Sequence, residues 1–293
     1  MSVPGGNRLT YRGARLARRA TAGSRALPDF VIAGAAKCGT TSLYRYLVEH
    51  PLVVAAQIKE VHFVDRQHNL DKGERWYRSW FPTRAELRRA AEGHAADRAI
   101  CGESTPNYLA HPDAASRLRA VVPDARIVML LREPIDRVWS QYRWQRRFGG
   151  ETLDLADALH AEAERAGGGF EMMGADRQTR NRFIFHGYLA RSRYADQLEW
   201  WCDAFPHDQL LLLRSEDLFA DPAGVLARTC RFLDLPVFEL AAYDVENEGT
   251  GDRTADGAID AELRRWLDDY FAEPNLRLAD LTATLPGGPI TWP

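Results

Sequence analysis

Two hydrophobic rhythms alternate along this chain: short runs of consecutive apolar residues, and segments in which apolar side chains return every three or four positions. Residues 30–33 form an apolar run that ends at Gly34, and residues 40–47 follow with helical spacing until His50-Pro51 stops them. This reads as strand, loop, helix. Residues 53–56 and 100–102 predict short strands, and residues 126–131 predict a stronger one, apolar enough to be covered on both faces of a parallel sheet. Pro134 suits a first helical turn, and Val138, Trp139, Tyr142 and Gln145 continue a long amphipathic helix. Gly167-Gly168-Gly169 then interrupts the pattern, and the Met-, Arg- and Asn-rich stretch up to Gly187 reads as a mobile loop suited to a lid or acceptor-binding role. Helical spacing returns over residues 188–205, an apolar run follows at 210–213, and Asp221-Pro222 opens a helix to Leu233. A polar stretch at 247–257 precedes a last helix around residues 263–270. Alternating strands and helices predict a single α/β domain, a doubly wound parallel sheet flanked by helices, with ligands bound outside the carboxyl ends of the strands.

Length and composition agree with one sizeable core, at 293 residues and 45% hydrophobic content. A net charge of -3 with 27% charged residues points neither to a nucleic-acid partner nor to a membrane surface. Charge is biased locally, because Arg8, Arg12, Arg15, Arg18, Arg19 and Arg25 lie in a segment without acidic residues. Residues 1–28 are therefore expected to be a flexible basic arm ahead of a domain spanning 29–293. No apolar stretch approaches the ~20 residues of a spanning helix, and none follows the arginines as a signal peptide would, so a cytoplasmic location is expected. Cys38, Cys101, Cys202 and Cys230 are scattered without metal-site spacing, which predicts free thiols and no metal centre. The Ala- and Arg-rich composition suggests a bacterial source. Trp76-Tyr77, Trp80-Phe81 and Trp200-Trp201 are read as core rather than as sugar platforms. The oligomeric state is not legible.

The segment between the first strand and helix carries the chemistry. Gly34-Ala35-Ala36-Lys37-Cys38-Gly39-Thr40-Thr41 has the small residues that let backbone N–H groups approach an anion, and a helix N-terminus follows. Its glycines fit the spacing of a nucleotide triphosphate loop, but the lysine stands two residues before the second glycine instead of directly after it. The strand 126–131 ends in Arg132, where an enzyme using a metal-bound nucleotide triphosphate would place a carboxylate. Both departures favour a second phosphate over Mg²⁺. A nucleotide-triphosphate-dependent kinase and a non-catalytic nucleotide- or glycan-binding module remain as alternatives at this point.

Lys37-Cys38-Gly39-Thr40-Thr41 resembles the K-x-G-T-T loop of sulfotransferases that use 3′-phosphoadenosine 5′-phosphosulfate (PAPS) and release 3′-phosphoadenosine 5′-phosphate (PAP). The run from Arg132 through Glu133-Pro134 to Ser140 resembles the same family's 3′-phosphate site. Three further segments resemble its glycosaminoglycan (heparan sulfate) branch: Lys59-Glu60-Val61-His62-Phe63-Val64-Asp65, Gly102-Glu103-Ser104-Thr105-Pro106-Asn107-Tyr108, and Tyr270-Phe271-Ala272-Glu273-Pro274-Asn275.

The resemblance implies a fold like that of the phosphate-loop proteins, and sulfuryl transfer to a hydroxyl or amine of a saccharide or glycosylated small molecule. It implies that Lys37 neutralises charge on the leaving phosphate, and that Cys38, Gly39, Thr40, Thr41 and Ser42 surround the 5′-phosphate. Glu60 would act as general base, His62 would orient the acceptor or assist that base, and Arg132 with Ser140 would hold the 3′-phosphate. Arg253 would belong to a loop covering the cofactor, although the two cysteines that bracket this loop in the glycosaminoglycan enzymes are missing here. The acceptor-binding loops, especially 166–186, do not match closely enough to carry a substrate over, and a bacterial source argues against an animal glycosaminoglycan.

Overall fold

The computed structural model describes residues 15–94, 98–244 and 259–292. Among them, β1 (Phe30–Gly34), β2 (Val53–Ala55), β3 (Ile100–Ser104), β4 (Arg126–Leu131) and β5 (Leu210–Arg214) form one sheet in the order β2-β3-β1-β4-β5. Every neighbouring pair is parallel, with Phe30 opposite Gly102 on one side and Arg126 on the other. β1 and β3 are buried along their whole length and β4 from Ile127 onward; β1 and β4 read accordingly as apolar runs, whereas β3 ends in the polar pair Glu103-Ser104. Gly102 has a packing reason, since a Cβ there would lie 2.5 Å from the Phe30 ring.

The helices that position the site are α1 (Thr40–Val48), α2 (Pro134–Arg147), α3 (Arg177–His186), α4 (Tyr194–Ala204), α5 (Pro222–Phe232) and α6 (Ala261–Thr282). The step from β1 to β2 moves one way across the sheet, whereas β3 to β4 and β4 to β5 move the other way. Right-handed crossovers therefore put the connecting helices on opposite faces. The packing agrees, for α1 meets α5, while α4 meets α6 and the helix Ala114–Val121. This is the doubly wound sheet expected, and β1, at its centre, delivers its following loop to the carboxyl edge.

Four segments differ from, or extend, the reading of the sequence. The expected mobile loop contains a 3-10 turn at Phe170–Gly174 and the helix α3, capped by Asp176, whose carboxylate accepts from the amides of Gln178 and Thr179. This helix has little apolar periodicity, and it is held by tertiary bonds: Gln141 and Gln145 amides donate to the carbonyls of Ile184 and Phe185. The helix expected from residue 188 starts instead at Tyr194, because the Leu189 and Ala190 amides donate to the Glu162 carboxylate and a 3-10 turn intervenes. α6 is far longer than its periodic core and runs through Pro274, where one intrahelical bond is lost but Phe271, Pro274 and Leu278 stay buried. Finally, residues 15–20 are helical and docked, with Arg18 donating to the carbonyls of Ser79 and Phe81 at 2.7 Å and the Arg15 guanidinium 3.3 Å above the Trp80 ring. Arg8 and Arg12 lie outside the described residues. Tyr77, Phe81 and Trp201 are fully buried core, and all four cysteines are free.

Candidate active site

The loop between β1 and α1 turns on two left-handed residues, Lys37 at φ 76° and Gly39 at φ 83°. Gly39 is the N-cap of α1 and offers no side chain to the first-turn amides, which leaves them for an anion. A Cβ at Gly39 would stand 2.9 Å from Leu218 Cδ2, so glycine is required by space as well as by φ. The loop is pinned from below: the Ala35 amide donates to the Leu130 carbonyl at 2.7 Å, and the Ser215 hydroxyl donates to the Cys38 carbonyl at 2.9 Å.

Above this loop opens a cavity of about 1010 Å³. The structure brings to its wall Lys37, Gly39, Thr40 and Thr41 from the cradle, Glu60 and His62 from the segment after β2, Arg132 from the end of β4, and Ser140 from α2. Two residues expected there are not on the wall. Cys38 is buried in the core with its sulfur 3.6 Å from the Tyr194 hydroxyl, and Ser42, inside the first turn of α1, is fully buried. Arg253 lies outside the described residues.

Lys37, Arg132 and Arg191 line the cradle side of the cavity, with the Asp136 carboxylate 3.9 Å from Arg132 Nη2. Burial, and then the neighbouring Arg137, push the Lys37 amine down to about 8; Cys38 acts the other way, and Arg191 and Arg132 add smaller pushes downward. Its Nζ rests 4.8 Å from the centre of the Trp144 ring. Arg137 is 1% exposed, donates to the carbonyls of Ala36 and Tyr188, and keeps its Nη2 buried without a partner among the described residues. Arg191 is similarly buried, donates to the Ile184 carbonyl and Asn107, and has an unpartnered Nε. Such a concentration of cations is costly unless a polyanion enters. Arg191 has no signal in the sequence, and Asn107 appears there only within the Gly102–Tyr108 resemblance with no role attached, since neither sits at a position that a phosphate-loop pattern marks.

The opposite wall carries the carboxylate. Glu60 Oε1 is 3.1 Å from Lys59 Nζ and its Oε2 is 3.3 Å from His62 Nε2, while His62 Nδ1 meets Asp65 Oδ2 at 2.8 Å. Burial would push the Glu60 carboxyl up, but the His62 and Lys59 contacts outweigh it and hold the group down to about 2. Burial likewise works against the charge on His62, and the Asp65 and Glu60 contacts prevail, raising it to about 9. In this resting arrangement Glu60 is ionised and paired. The raised carboxyl that would best suit a general base is not its resting state, because its cationic neighbours stabilise the charged form. Arg66, Arg177 and Arg180 line the same cavity.

A doubly wound sheet whose first loop and flanking arginines form a cationic cradle facing an ionised carboxylate defines an α/β protein built around a polyanionic ligand. The chain belongs to the sulfotransferase family, whose sulfotransferase domain matches residues 27–247. It is 31% identical to human heparan sulfate glucosamine 3-O-sulfotransferase 3B1, over 89% of this chain and 64% of that protein. It is 25% identical to the membrane-associated sulfotransferase kil1 of Dictyostelium discoideum, over 87% of this chain and 65% of the relative. Among solved structures, a sulfotransferase from Alicyclobacillus acidocaldarius matches with a TM-score of 0.63 at 30% identity, covering 87% of this chain and 96% of that one. The chain thus spans less than two thirds of the length of these curated relatives. No helix among the described residues is long and apolar enough to cross a membrane.

Proposed function

We propose that the protein transfers a sulfuryl group from PAPS to a hydroxyl or amine of a saccharide or glycosylated small molecule. The observation that carries this reading is the shared cavity, lined by Lys37, Thr40, Thr41, Arg132 and Ser140 together with Glu60 and His62. The cradle fits a donor with two separated phosphate groups, because its cations outnumber their carboxylate partners and Arg137 keeps a buried N–H group unpartnered. The donor, when bound, supplies the sulfuryl group on its 5′-phosphate.

This chain's residues would then divide the work between charge and position, as a loose in-line transfer requires. Lys37 neutralises the charge left on the phosphate as its bond to sulfur breaks. Glu60 takes the proton of the acceptor as the new bond to sulfur forms, and an acceptor that displaces Lys59 from the carboxylate raises the basicity of Glu60. His62, held between Glu60 and Asp65, aims the carboxylate. Likeness to heparan sulfate sulfotransferases supports a saccharide acceptor. Four free cysteines, three of them buried, support a reducing, cytoplasmic location.

Calorimetric titration with PAP and with ATP, with and without Mg²⁺, tests the donor. PAP is expected to bind more tightly, without need of the metal, and tighter ATP binding would sink the reading in favour of a kinase. Incubation of [35S]PAPS with a panel of hexosamine, uronic acid and aryl glycoside acceptors tests the transfer.

A further inference from the structure

Glu103, one residue before the end of β3, is 0% exposed, yet none of its hydrogen-bond partners among the described residues is a cation. Its carboxylate is satisfied by four donors: the Val61 amide at 3.2 Å, the Thr105 hydroxyl at 2.5 Å, and the Tyr77 and Tyr108 hydroxyls at 2.5 and 3.1 Å. Two of those partners bond onward to the same short segment. Thr105 Oγ1 accepts from the Val61 amide at 3.1 Å and the His62 amide at 3.4 Å, and the Tyr108 hydroxyl accepts from the Phe63 amide at 2.8 Å. Three consecutive amides, those of residues 61, 62 and 63, are therefore tied by side chains that converge on one buried carboxylate. Two residues before Val61, the Lys59 carbonyl accepts from the Ser104 amide at 3.1 Å.

This matters because the tied segment cannot hold its own shape. His62 sits at φ 54°, a conformation that disfavours a β-carbon-bearing residue, and no strand or helix embraces it. The same network also faces the cradle. The Thr105 amide donates to the Ile32 carbonyl at 3.1 Å and the Leu109 amide to the Ala33 carbonyl at 2.8 Å, at the last residues before the phosphate loop. A carboxylate is suited to this task, since it accepts from several donors at once and does not compete with them by donating.

We propose that Glu103 is a positioning residue for sulfuryl transfer: through Thr105 and Tyr108 it holds the segment carrying Glu60 and His62 in register with the Lys37 cradle. The inference rests on the transfer reading above. Glu103 touches neither donor nor acceptor; it acts through the backbone of its neighbours.

Three variants test it: Glu103→Gln, Glu103→Ala and Thr105→Val, each measured for PAP affinity, for turnover of [35S]PAPS with the acceptor on which the wild type is most active, and for His62 titration by NMR. Glutamine keeps the shape and one strong acceptor for the obligate Val61 donor, but sets an amide NH₂ where other donors point. The expected result is PAP affinity within about threefold of wild type in all three, with kcat lowered about tenfold in Glu103→Gln and about a hundredfold in Glu103→Ala. The Thr105→Val variant should resemble Glu103→Gln. His62, near 9 in the wild type, should fall toward 6.5 as the segment leaves Asp65 and Glu60. Wild-type kcat per PAP-binding site, with His62 unmoved, would overturn the proposal by making the network a stability element only. A wild-type protein that fails to bind PAP would instead defeat the transfer reading, and the His62 titration would still decide the role of Glu103.

Discussion

His62 is clamped between two carboxylates, its Nε2 3.3 Å from Glu60 and its Nδ1 2.8 Å from Asp65. The imidazole is therefore the hinge of the opposite wall's electrostatics, since it both stabilises the Glu60 charge and depends on Asp65 for its own.

Replacing Asp65 by Asn should free the imidazole from the partner that raises it most. The His62 NMR titration is expected to drop from about 9 toward its ordinary value of 6.5. Because its folded value lies above the unfolded one, the stability contributed by His62 is complete below about pH 6.5 and lost as pH rises through 9. Glu60 behaves oppositely, with its contribution complete above about pH 4.5 and lost as pH falls toward 2. Urea unfolding of wild type against His62→Gln should thus differ most between pH 4.5 and 6.5, and a difference that grows above pH 9 would contradict the assignment.

Lys37 predicts the alkaline limb of donor binding. Its amine is held near 8 by burial and by neighbouring cations, and a bound phosphate favours the charged form. PAP affinity should be flat between pH 7 and 8 and weaken by up to about tenfold per pH unit above that. Lys37→Met should bind PAP more weakly and lose this limb, as calorimetry at successive pH values can establish.

Arg132 predicts a phosphate-specific loss. A charge-assisted hydrogen bond contributes about 1.5–3 kcal/mol, so Arg132→Ala should weaken PAP by roughly ten- to a hundredfold. Adenosine 5′-phosphate, which lacks the 3′-phosphate, should bind both proteins alike. Equal losses for the two ligands would remove Arg132 from the 3′-phosphate site.

Gly39 joins the left-handed turn to the wall of Leu218. Gly39→Ala should cost about 1–2 kcal/mol from its φ alone, with further loss from the 2.9 Å approach to Leu218 Cδ2. Denaturant unfolding should detect the loss, and PAP affinity should fall with it. Leu218→Ala in the same chain is expected to relieve the crowding part but not the φ part.

Much of this architecture was legible from residues 30–50, because a both-faces-buried strand, a glycine turn and a helix start each leave a local signature. The placement of Arg132 and Ser140 on one cavity was legible too, since they lie eight positions apart across the start of one helix. Legibility ended where tertiary bonds replace local preference. α3 looked irregular since its support comes from Gln141 and Gln145 on another helix, and the start of α4 was displaced because Glu162 captures amides that the helical pattern had claimed.

The sequence by itself determined the doubly wound sheet, the glycine-bounded loop and the cationic residues of its rim, for those depend on periodicity, on glycine conformations and on residues close in the chain. Tertiary structure alone decided the electrical state of the site. Glu60 is paired rather than poised, Lys37 is weakened by burial and then by Arg137, and the segment bearing Glu60 is tied to Glu103, some forty residues away. Charge states and hydrogen-bond anchors of that kind depend on distance and burial, which the linear order of residues does not carry.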